Sequence, residues 1–378
     1  MNTVWRWAIL LVCVGVMGLA PTEAATPNRK AARLARRNLL QYHDKNGNAQ
    51  RVETSADWQK RRTDILRSMQ KVMGELPGDQ HHVALDVQVE EETDAEQYVR
   101  RLITYQSEPG SRTPAYLCIP RDVLAGKRRA PAVLCLHPTD DKAGHKVVLG
   151  LGGRAGRQYA AELSERGYVT LSPSYPHLAN YWPNLGGLGY VSGTMKAIWD
   201  NSRGLDLLAS LQFVDDTRGF GAIGHSLGGH NAIYTAVFDE RITVLASSCG
   251  FDSYRDYKDG AERHWYFSQG WCQIRYMPRM SNYRGKLDEI PFDFPELLGA
   301  LAPRPFFVNA PLHDDNFQWK SVDACAAAAR PIYDLLGGKG NLIIKHPDCD
   351  HNFPDELRET AYQIIDSVLR PGYAGDER

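Results

Sequence analysis

From Ala130 onward, short apolar runs alternate along the chain with longer stretches in which apolar residues recur at helical spacing. This β-then-α rhythm is typical of a mostly parallel sheet that is flanked by helices. The apolar runs predict strands at 132–136, 168–171, 219–223, 244–247, 305–309 and 341–344. The helical patterns lie at 157–166, 194–213, 227–238, 322–336 and 356–369.

The part of the chain before Ala130 has a different pattern. Helical periodicity covers residues 30–74, and apolar residues of its second half share one face that should dock on the main body: Trp58, Ile65, Met69 and Met73. Strand-like runs follow at 83–89, 98–105 and 114–120. We therefore predict a helical N-terminal extension over 25–80 and an α/β domain over 81–378.

The rhythm is interrupted over residues 251–303, which are rich in aromatic and arginine residues. An insertion between late strands is well placed to cover a pocket as a lid. Trp265 in this insertion, together with Trp182 and Trp199 before it, could offer stacking surfaces for sugars. The alternative is that these aromatic side chains form the core of the lid.

Residues 1–24 have the features of a secretory signal peptide. Arg6 gives a positive start, residues 8–20 are apolar but short for a membrane span, and Thr22 and Ala24 are small. We expect cleavage near Ala24 and export to the periplasm or outside the cell. An uncleaved membrane anchor is the alternative.

The formal net charge is only −1, so no global field favours nucleic acid or an anionic membrane. Six cysteines follow the predicted signal peptide, spaced singly and without a C-x-x-C pair. This spacing argues against a structural zinc or iron–sulfur site, and the sequence assigns no disulfide. We expect no cofactor and no resident metal.

The pentapeptide 224–228, GHSLG, lies between a predicted strand and a predicted helix. A G-x-S-x-G motif in this setting is typical of a nucleophile elbow, a sharp turn that lifts the serine hydroxyl above the sheet. Its glycines let the strand and the helix approach closely. The motif therefore nominates Ser226 as a nucleophile.

A serine nucleophile needs a general base and an orienting carboxylate, which follow in the order acid, then histidine, in this type of fold. Asp314 follows the predicted strand 305–309, and His351 follows the strand 341–344 directly before the last helix. We assign Asp314 as the acid and His351 as the base. Asp315, or Asp252 one strand earlier, is the alternative acid.

The base also has an alternative, His346, and the cluster 346–351 contains histidines and aspartates that could ligate a metal. Pro347 favours a loop, and the cluster lacks the helical spacing of a zincin. Similarly, the glycine-rich run 147–156 resembles a dinucleotide loop, but the next strand lacks the acidic residue that would hold a ribose. Neither a metal site nor a dinucleotide site is favoured.

The oxyanion of an acyl-transfer intermediate needs hydrogen-bond donors. The Leu227 N–H follows the nucleophile and is the first candidate. The second comes from the loop after strand 132–136, where Pro138 has no N–H and Thr139 is therefore our choice. His137 and His225 are predicted to face the substrate, although His137 would equally suit a hydrogen-bonded role in shaping its loop.

With these residues the chain resembles the α/β-hydrolase superfamily, and is most similar to its dienelactone-hydrolase and acetyl-xylan-esterase-like branch. The resemblance covers residues 98–369 and rests on four runs: 134–139, 224–229, 302–305 leading to Asp314, and 351–353. Ser226 stands where dienelactone hydrolases have cysteine, which favours an esterase.

The ordered serine, acid and base predict a serine ester hydrolase that acts through an acyl-enzyme, in agreement with the resemblance. The predicted export and the aromatic residues favour an acylated carbohydrate, such as acetylated xylan, as the substrate. Two other functions remain open. One is a peptidase related to prolyl oligopeptidases, which would need a pocket for an N-terminal amine and usually a large gating domain, whereas the sequence shows no propeller repeat. The other is a binding protein that keeps the fold without the activity.

Overall fold

The computed structural model describes residues 33–371, so the predicted signal peptide over 1–24 lies outside the described residues. The described chain begins with irregular backbone and a small hairpin, β1 (Gln41–His43) and β2 (Ala49–Arg51). The prediction of helix over the first half of 30–74 is therefore wrong for the residues described. Local turn chemistry explains the difference: Asp44 Oδ1 accepts from the N–H groups of Asn46 and Asn48, both at 2.9 Å.

The second half of that segment forms helix α1 (Ser55–Met73). The Thr54 side chain caps it by accepting from the Asp57 N–H at 3.2 Å, and Gly74 ends it with φ of +92°. The predicted apolar face is buried, with Trp58 and Met69 fully inaccessible.

A nine-stranded sheet forms the centre of the domain. Its strands are β3 (Gln88–Asp94), β4 (Tyr98–Glu108), β5 (Ser111–Pro120), β6 (Ala132–Leu136), β7 (Val169–Pro173), β8 (Phe220–His225), β9 (Ile242–Ser248), β10 (Phe306–Asn309) and β11 (Leu342–Lys345). The order is β11-β10-β9-β8-β6-β7-β5-β4-β3. Strands β3, β4 and β5 pair antiparallel, and β5 is antiparallel to β7, whereas β6 to β11 are parallel.

Helices cover both faces of this sheet, as the rhythm predicts. They are α2 (Arg121–Leu124), α3 (Tyr159–Glu165), α4 (Gly193–Ser210), α5 (Leu227–Phe238), α6 (Phe294–Leu301), α7 (Trp319–Leu335) and α8 (Asp355–Leu369). One apolar cluster contains α3 and α8, and the other contains α1, α4, α5, α6 and α7. The predicted α/β architecture is confirmed, with boundaries shifted by a few residues; the strand predicted at 83–89 shifts most.

The insertion at 251–303 consists of short 3₁₀ turns followed by α6. It is fixed to α1 by an ion pair, because the buried Glu296 carboxylate of α6 accepts from Arg61 at 2.5 Å; the same carboxylate accepts from Arg33, which precedes β1, at 2.7 Å. Trp265 is fully buried inside the insertion and packs edge-on against Tyr254 at 6.2 Å. This aromatic residue therefore belongs to the core of the insertion.

Within residues 33–371, no helix has the length and apolar character needed to cross a bilayer.

Candidate active site

Ser226 lies in a strained turn between β8 and α5. Its backbone has φ of +54° and ψ of −121°, a conformation that costs free energy for a residue with a side chain. The turn is held by the Ser226 N–H, which donates to the Ser248 carbonyl at 2.7 Å. A Cβ on Gly224 would lie 2.1 Å from the Gly228 carbonyl carbon, and one on Gly228 would lie 1.9 Å from the Leu136 oxygen. Only glycine fits at both positions.

His351 and Asp314 lie at the same edge of the sheet as Ser226, because each follows the carboxyl end of a parallel strand. The His351 Nδ1 atom lies 2.9 Å from both carboxylate oxygens of Asp314. The side chain of Asp314 is 1% exposed and that of His351 is 21% exposed. The sequence order therefore brings a histidine and a buried carboxylate into contact beside the elbow.

The Asp314 carboxylate is also anchored by the main chain of its own loop, since Oδ1 accepts from the Asn316 N–H at 2.8 Å and the Phe317 N–H at 3.1 Å. Burial alone would raise the pKa of this carboxyl. The His351 hydrogen bond, its charge and the two N–H groups outweigh burial, and the pKa of Asp314 lies below its ordinary value. An ionised carboxylate can orient the imidazole and stabilise its protonated form.

The alternative acids and base have other partners. The Asp252 carboxylate accepts from the Gln318 N–H at 3.1 Å, and burial raises its pKa well above the ordinary value. Asp315 is exposed, and its carbonyl accepts from Lys258. His346 contacts Asp323 at 3.0 Å. The structure thus pairs His351 with Asp314 and with neither Asp252 nor Asp315.

The backbone of the His351 loop is held by side chains from other strands and loops. Arg157 Nη2 donates to the His351 carbonyl at 3.2 Å, and Arg157 Nη1 donates to Asn352 Oδ1 at 2.8 Å. Asn309 Nδ2, at the end of β10, donates to the Asn352 carbonyl at 2.8 Å. These contacts hold the main chain at residues 351 and 352 and thereby fix the position of the His351 imidazole.

The two predicted oxyanion donors lie at this same edge. Leu227 is the first residue of α5, so its N–H has no acceptor within the helix. Thr139 follows β6, and its hydroxyl lies 3.1 Å from the Tyr276 hydroxyl of the lid. The buried Tyr159 hydroxyl links the two sides, because it donates to the Leu136 carbonyl and accepts from the His225 N–H. The role of the Leu227 and Thr139 N–H groups as oxyanion donors stays a prediction.

Comparison with solved structures identifies the fold. The glucuronoyl esterase from Solibacter usitatus superposes with a TM-score of 0.69 at 20% identity, covering 90% of this chain and 99% of that chain. A glucuronoyl esterase of carbohydrate esterase family 15 from Caldicellulosiruptor kristjansonii gives 0.65 at 17% identity, covering 90% and 92%. The protein has the α/β-hydrolase fold.

Sequence comparison gives related names over a shorter span. A family model described as "Glucuronyl esterase, fungi" matches residues 181–337 of this chain. The 4-O-methyl-glucuronoyl methylesterase of Phanerochaete carnosa is 25% identical over 46% of this chain and 45% of its own length. The putative hydrolase YtaP of Bacillus subtilis is 23% identical over 82% of this chain and 100% of its own. The chain spans less than half the length of the glucuronoyl methylesterases that it matches.

Of the two histidines predicted to face substrate, His137 does not. Its Nε2 accepts from the Tyr175 N–H at 2.9 Å, so the proton is on Nδ1, which donates to the Pro138 carbonyl at 2.8 Å. Burial lowers the pKa of His137 to about 4, and the ring is neutral. The substrate-facing prediction is wrong for His137, because both of its ring nitrogens are bonded to the main chain.

His225 lies closer to the reacting groups, with its ring centroid 4.9 Å from that of His351. It is 2% exposed, and its Nδ1 lies 2.9 Å from the Ser248 hydroxyl. Burial, and then the charge of Arg157, lower its pKa well below the ordinary value. Contact between His225 and a substrate stays a prediction.

The predicted stacking tryptophans have different environments. Trp265 is fully buried and Trp199 is 3% exposed, so neither can stack on a ligand, and both predictions are wrong. Both side chains are large and apolar, and burying them stabilises the fold more than a surface position would. Trp182 is 67% exposed and remains available to a ligand.

A buried thiol completes the surroundings of the His351–Asp314 pair. Cys249, Asp314 and His351 offer three metal-ligating atoms within 4.8 Å of one another. Burial, and then the Asp314 charge, raise the pKa of Cys249 well above its ordinary value. The Cys249 Sγ donates to the Asn352 carbonyl at 3.4 Å, and His351 and Asp314 are bonded to each other.

Proposed function

We propose that the protein is a serine carboxylic-ester hydrolase. The observation that carries this proposal is the strained Ser226 elbow at the same sheet edge as the buried His351–Asp314 pair. The names of the relatives support it, since several are esterases.

In the proposed reaction, Ser226 Oγ attacks the ester carbonyl while His351 Nε2 takes the serine proton. The carbonyl oxygen becomes an oxyanion that the Leu227 and Thr139 N–H groups stabilise. His351 then gives the proton to the departing alcohol oxygen as the C–O bond breaks, leaving an acyl-serine. Water, activated by His351, attacks the acyl-serine and releases the acid and free Ser226. Asp314 stays ionised throughout and stabilises the protonated imidazole.

For the substrate, we propose an ester in which a sugar uronate is the acyl part, as found on glucuronoxylan. Glucuronoyl ester hydrolysis is in the names of the matched family model and of solved neighbours. In acetylated xylan, the substrate predicted from the sequence, the sugar instead supplies the alcohol part of the ester and acetate is the acyl part. One neighbour, a putative acetyl xylan esterase from Bacteroides fragilis, has a TM-score of 0.55 at 17% identity. We propose that the protein works outside the cytoplasm, where such polymers occur.

A substrate panel tests the proposal. Wild type and Ser226→Ala are compared on benzyl glucuronate, acetylated xylo-oligosaccharides and an aminoacyl p-nitroanilide. We expect the wild type to hydrolyse benzyl glucuronate with the highest kcat/KM and Ser226→Ala to lose it. A preference for acetylated oligosaccharides would correct the substrate, cleavage of the anilide alone would favour the peptidase, and no ester hydrolysis above Ser226→Ala would refute the proposal.

A further inference from the structure

The segment between β7 and α4, residues 174–192, lies at the sheet edge that carries the proposed active site. It leaves the carboxyl end of β7, next to β6 and its Thr139 loop. The two loops are joined, because the Tyr175 N–H donates to His137 Nε2 at 2.9 Å. A ligand that extends from the ester along this edge would therefore meet the segment.

Trp182 in this segment is exposed but held in place. Its side chain has the largest exposed fraction, 67%, among the large apolar residues of the described chain. The indole Nε1–H donates to the Ala179 carbonyl at 2.8 Å, and the His177 ring lies 5.0 Å away at an angle of 31°. His177 Nε2 in turn lies 3.0 Å from the Pro183 carbonyl. A fixed ring loses little conformational entropy when a ligand binds to it.

The indole forms one wall of a groove of about 500 Å³. The β4–β5 turn also lines this groove, whose polar and small residues include Gly110, Ser111, Arg112, Asn184 and Gly187. The Arg112 guanidinium already pairs with the Asp86 carboxylate at 2.7 Å. The groove therefore presents an aromatic face and polar edges without a free charge.

These features select the ligand. Because the indole N–H is already bonded, Trp182 can contact a ligand only through its ring. A pyranose offers an apolar face of C–H groups for stacking and hydroxyls at its edge for polar groups such as the Asn184 amide. An apolar protein segment would leave the polar edges of the groove unpaired.

We propose that Trp182 and this groove form an accessory subsite that stacks on an uncharged pyranose of a polysaccharide backbone. This inference rests on the proposed function for the polymer, since the ester-bearing unit would occupy the Ser226 site while a neighbouring unit lies on Trp182. The segment 174–192 would then hold the polysaccharide and take no part in the ester hydrolysis itself.

Binding without turnover tests the subsite independently of the reaction. Xylohexaose and a soluble, ester-free glucuronoxylan are titrated into wild type, Trp182→Ala and Trp182→Tyr, followed by calorimetry and affinity electrophoresis. Leu124→Ala is the matched control, because Leu124 is an exposed apolar residue (37%) of α2, which follows the end of β5 opposite to the groove. Circular dichroism and thermal unfolding establish that each variant is folded.

We expect Trp182→Ala to weaken binding of either glycan at least fivefold, Trp182→Tyr to retain most of the wild-type affinity, and Leu124→Ala to match wild type. Equal affinity of wild type and Trp182→Ala, or no wild-type binding, would overturn the subsite. Self-association that Trp182→Ala abolishes would assign the face to a second copy and also overturn it. Glycan binding through Trp182 by a protein without esterase activity would refute the proposed function and leave the subsite intact.

Discussion

The buried guanidinium of Arg157 donates a hydrogen bond to the backbone carbonyl of His351 at 3.2 Å. Arg157 is 2% exposed, and among residues 33–371 its acceptors are carbonyl and amide oxygens, of Gly156, His351 and Asn352. A buried cation is usually paired with a carboxylate, because removing a lone charge from water is costly. Here the charge holds the main chain that carries the proposed base.

Removing this support should impair turnover more than binding. In Arg157→Met the His351 loop loses two hydrogen bonds, and a small displacement of a catalytic group lowers the rate strongly. We expect kcat to fall about 10- to 100-fold with a smaller change in KM. Arg154→Gln is the control, because Arg154 is 61% exposed and its ion pair with Asp350 is solvated. A kcat for Arg157→Met within twofold of wild type would remove Arg157 from this role.

The Tyr159 hydroxyl gives a second prediction. It bridges the Leu136 carbonyl and the His225 N–H, so Tyr159→Phe leaves buried backbone groups without this partner. We expect a loss of about 1–3 kcal/mol in the free energy of unfolding, together with a lower kcat, in urea titrations and ester assays. Tyr266→Phe is the control, since Tyr266 is 49% exposed. Equal losses of unfolding free energy and kcat in the two variants would show that the Tyr159 hydrogen bonds contribute neither to stability nor to turnover.

The sequence predicted the parts of this site that obey local rules. The elbow follows from two glycines and a serine between a strand and a helix. The contact between His351 and Asp314 follows from strand order, and their roles as base and acid stay predictions. Arg157, Tyr159 and Asn309 were missed because their roles arise from tertiary contacts with backbone groups distant in sequence. No spacing rule indicates that a tyrosine of α3 will bridge β6 and the elbow.

The errors have a similar cause. The sequence pattern identifies Trp265 and Trp199 as aromatic residues near the predicted pocket. It does not show whether such a side chain is buried in the protein core or exposed to stack on a sugar. His137 has the residue type of a substrate contact, yet burial places both nitrogens against the main chain. In the N-terminal segment, the turn at Asp44 overrides the helical pattern.

The two candidate acids can be separated by amide substitutions. Asp314→Asn should lower kcat about 10⁴-fold, because an amide favours the wrong tautomer of His351. Asp252→Asn should stay within a few-fold of wild type, since burial already raises the pKa of Asp252 well above its ordinary value and an amide can still accept from Gln318. The opposite ranking in an ester assay would move the acid to Asp252.

Buried histidines should make the fold sensitive to mild acid. Burial lowers the pKa of His230 to about 3, whereas an unfolded histidine has a pKa near 6.5. Because the unfolded chain binds the proton first, the stability is fully present above pH 6.5 and is lost progressively as the pH falls towards 3. Between pH 7 and pH 5 this one residue should cost about 2 kcal/mol.

Urea unfolding of His230→Phe at pH 7 and pH 5 measures how much His230 contributes to this loss of stability. The ring lies between Tyr234 and Trp271, with centroids 4.2 Å and 4.3 Å away, so phenylalanine suits the site. The difference in unfolding free energy between pH 7 and pH 5 should shrink by about 2 kcal/mol relative to wild type. An unchanged difference would mean that His230 does not contribute to the acid sensitivity.

Labelling with a fluorophosphonate probe, followed by mass spectrometry of the modified peptide, tests the central claim most directly, because the probe reacts with an activated serine hydroxyl. The account predicts one phosphonylated residue, Ser226, and no labelling of Ser226→Ala or of heat-unfolded wild type. Labelling of a different residue, or a folded wild type that resists the probe while hydrolysing esters, would contradict it.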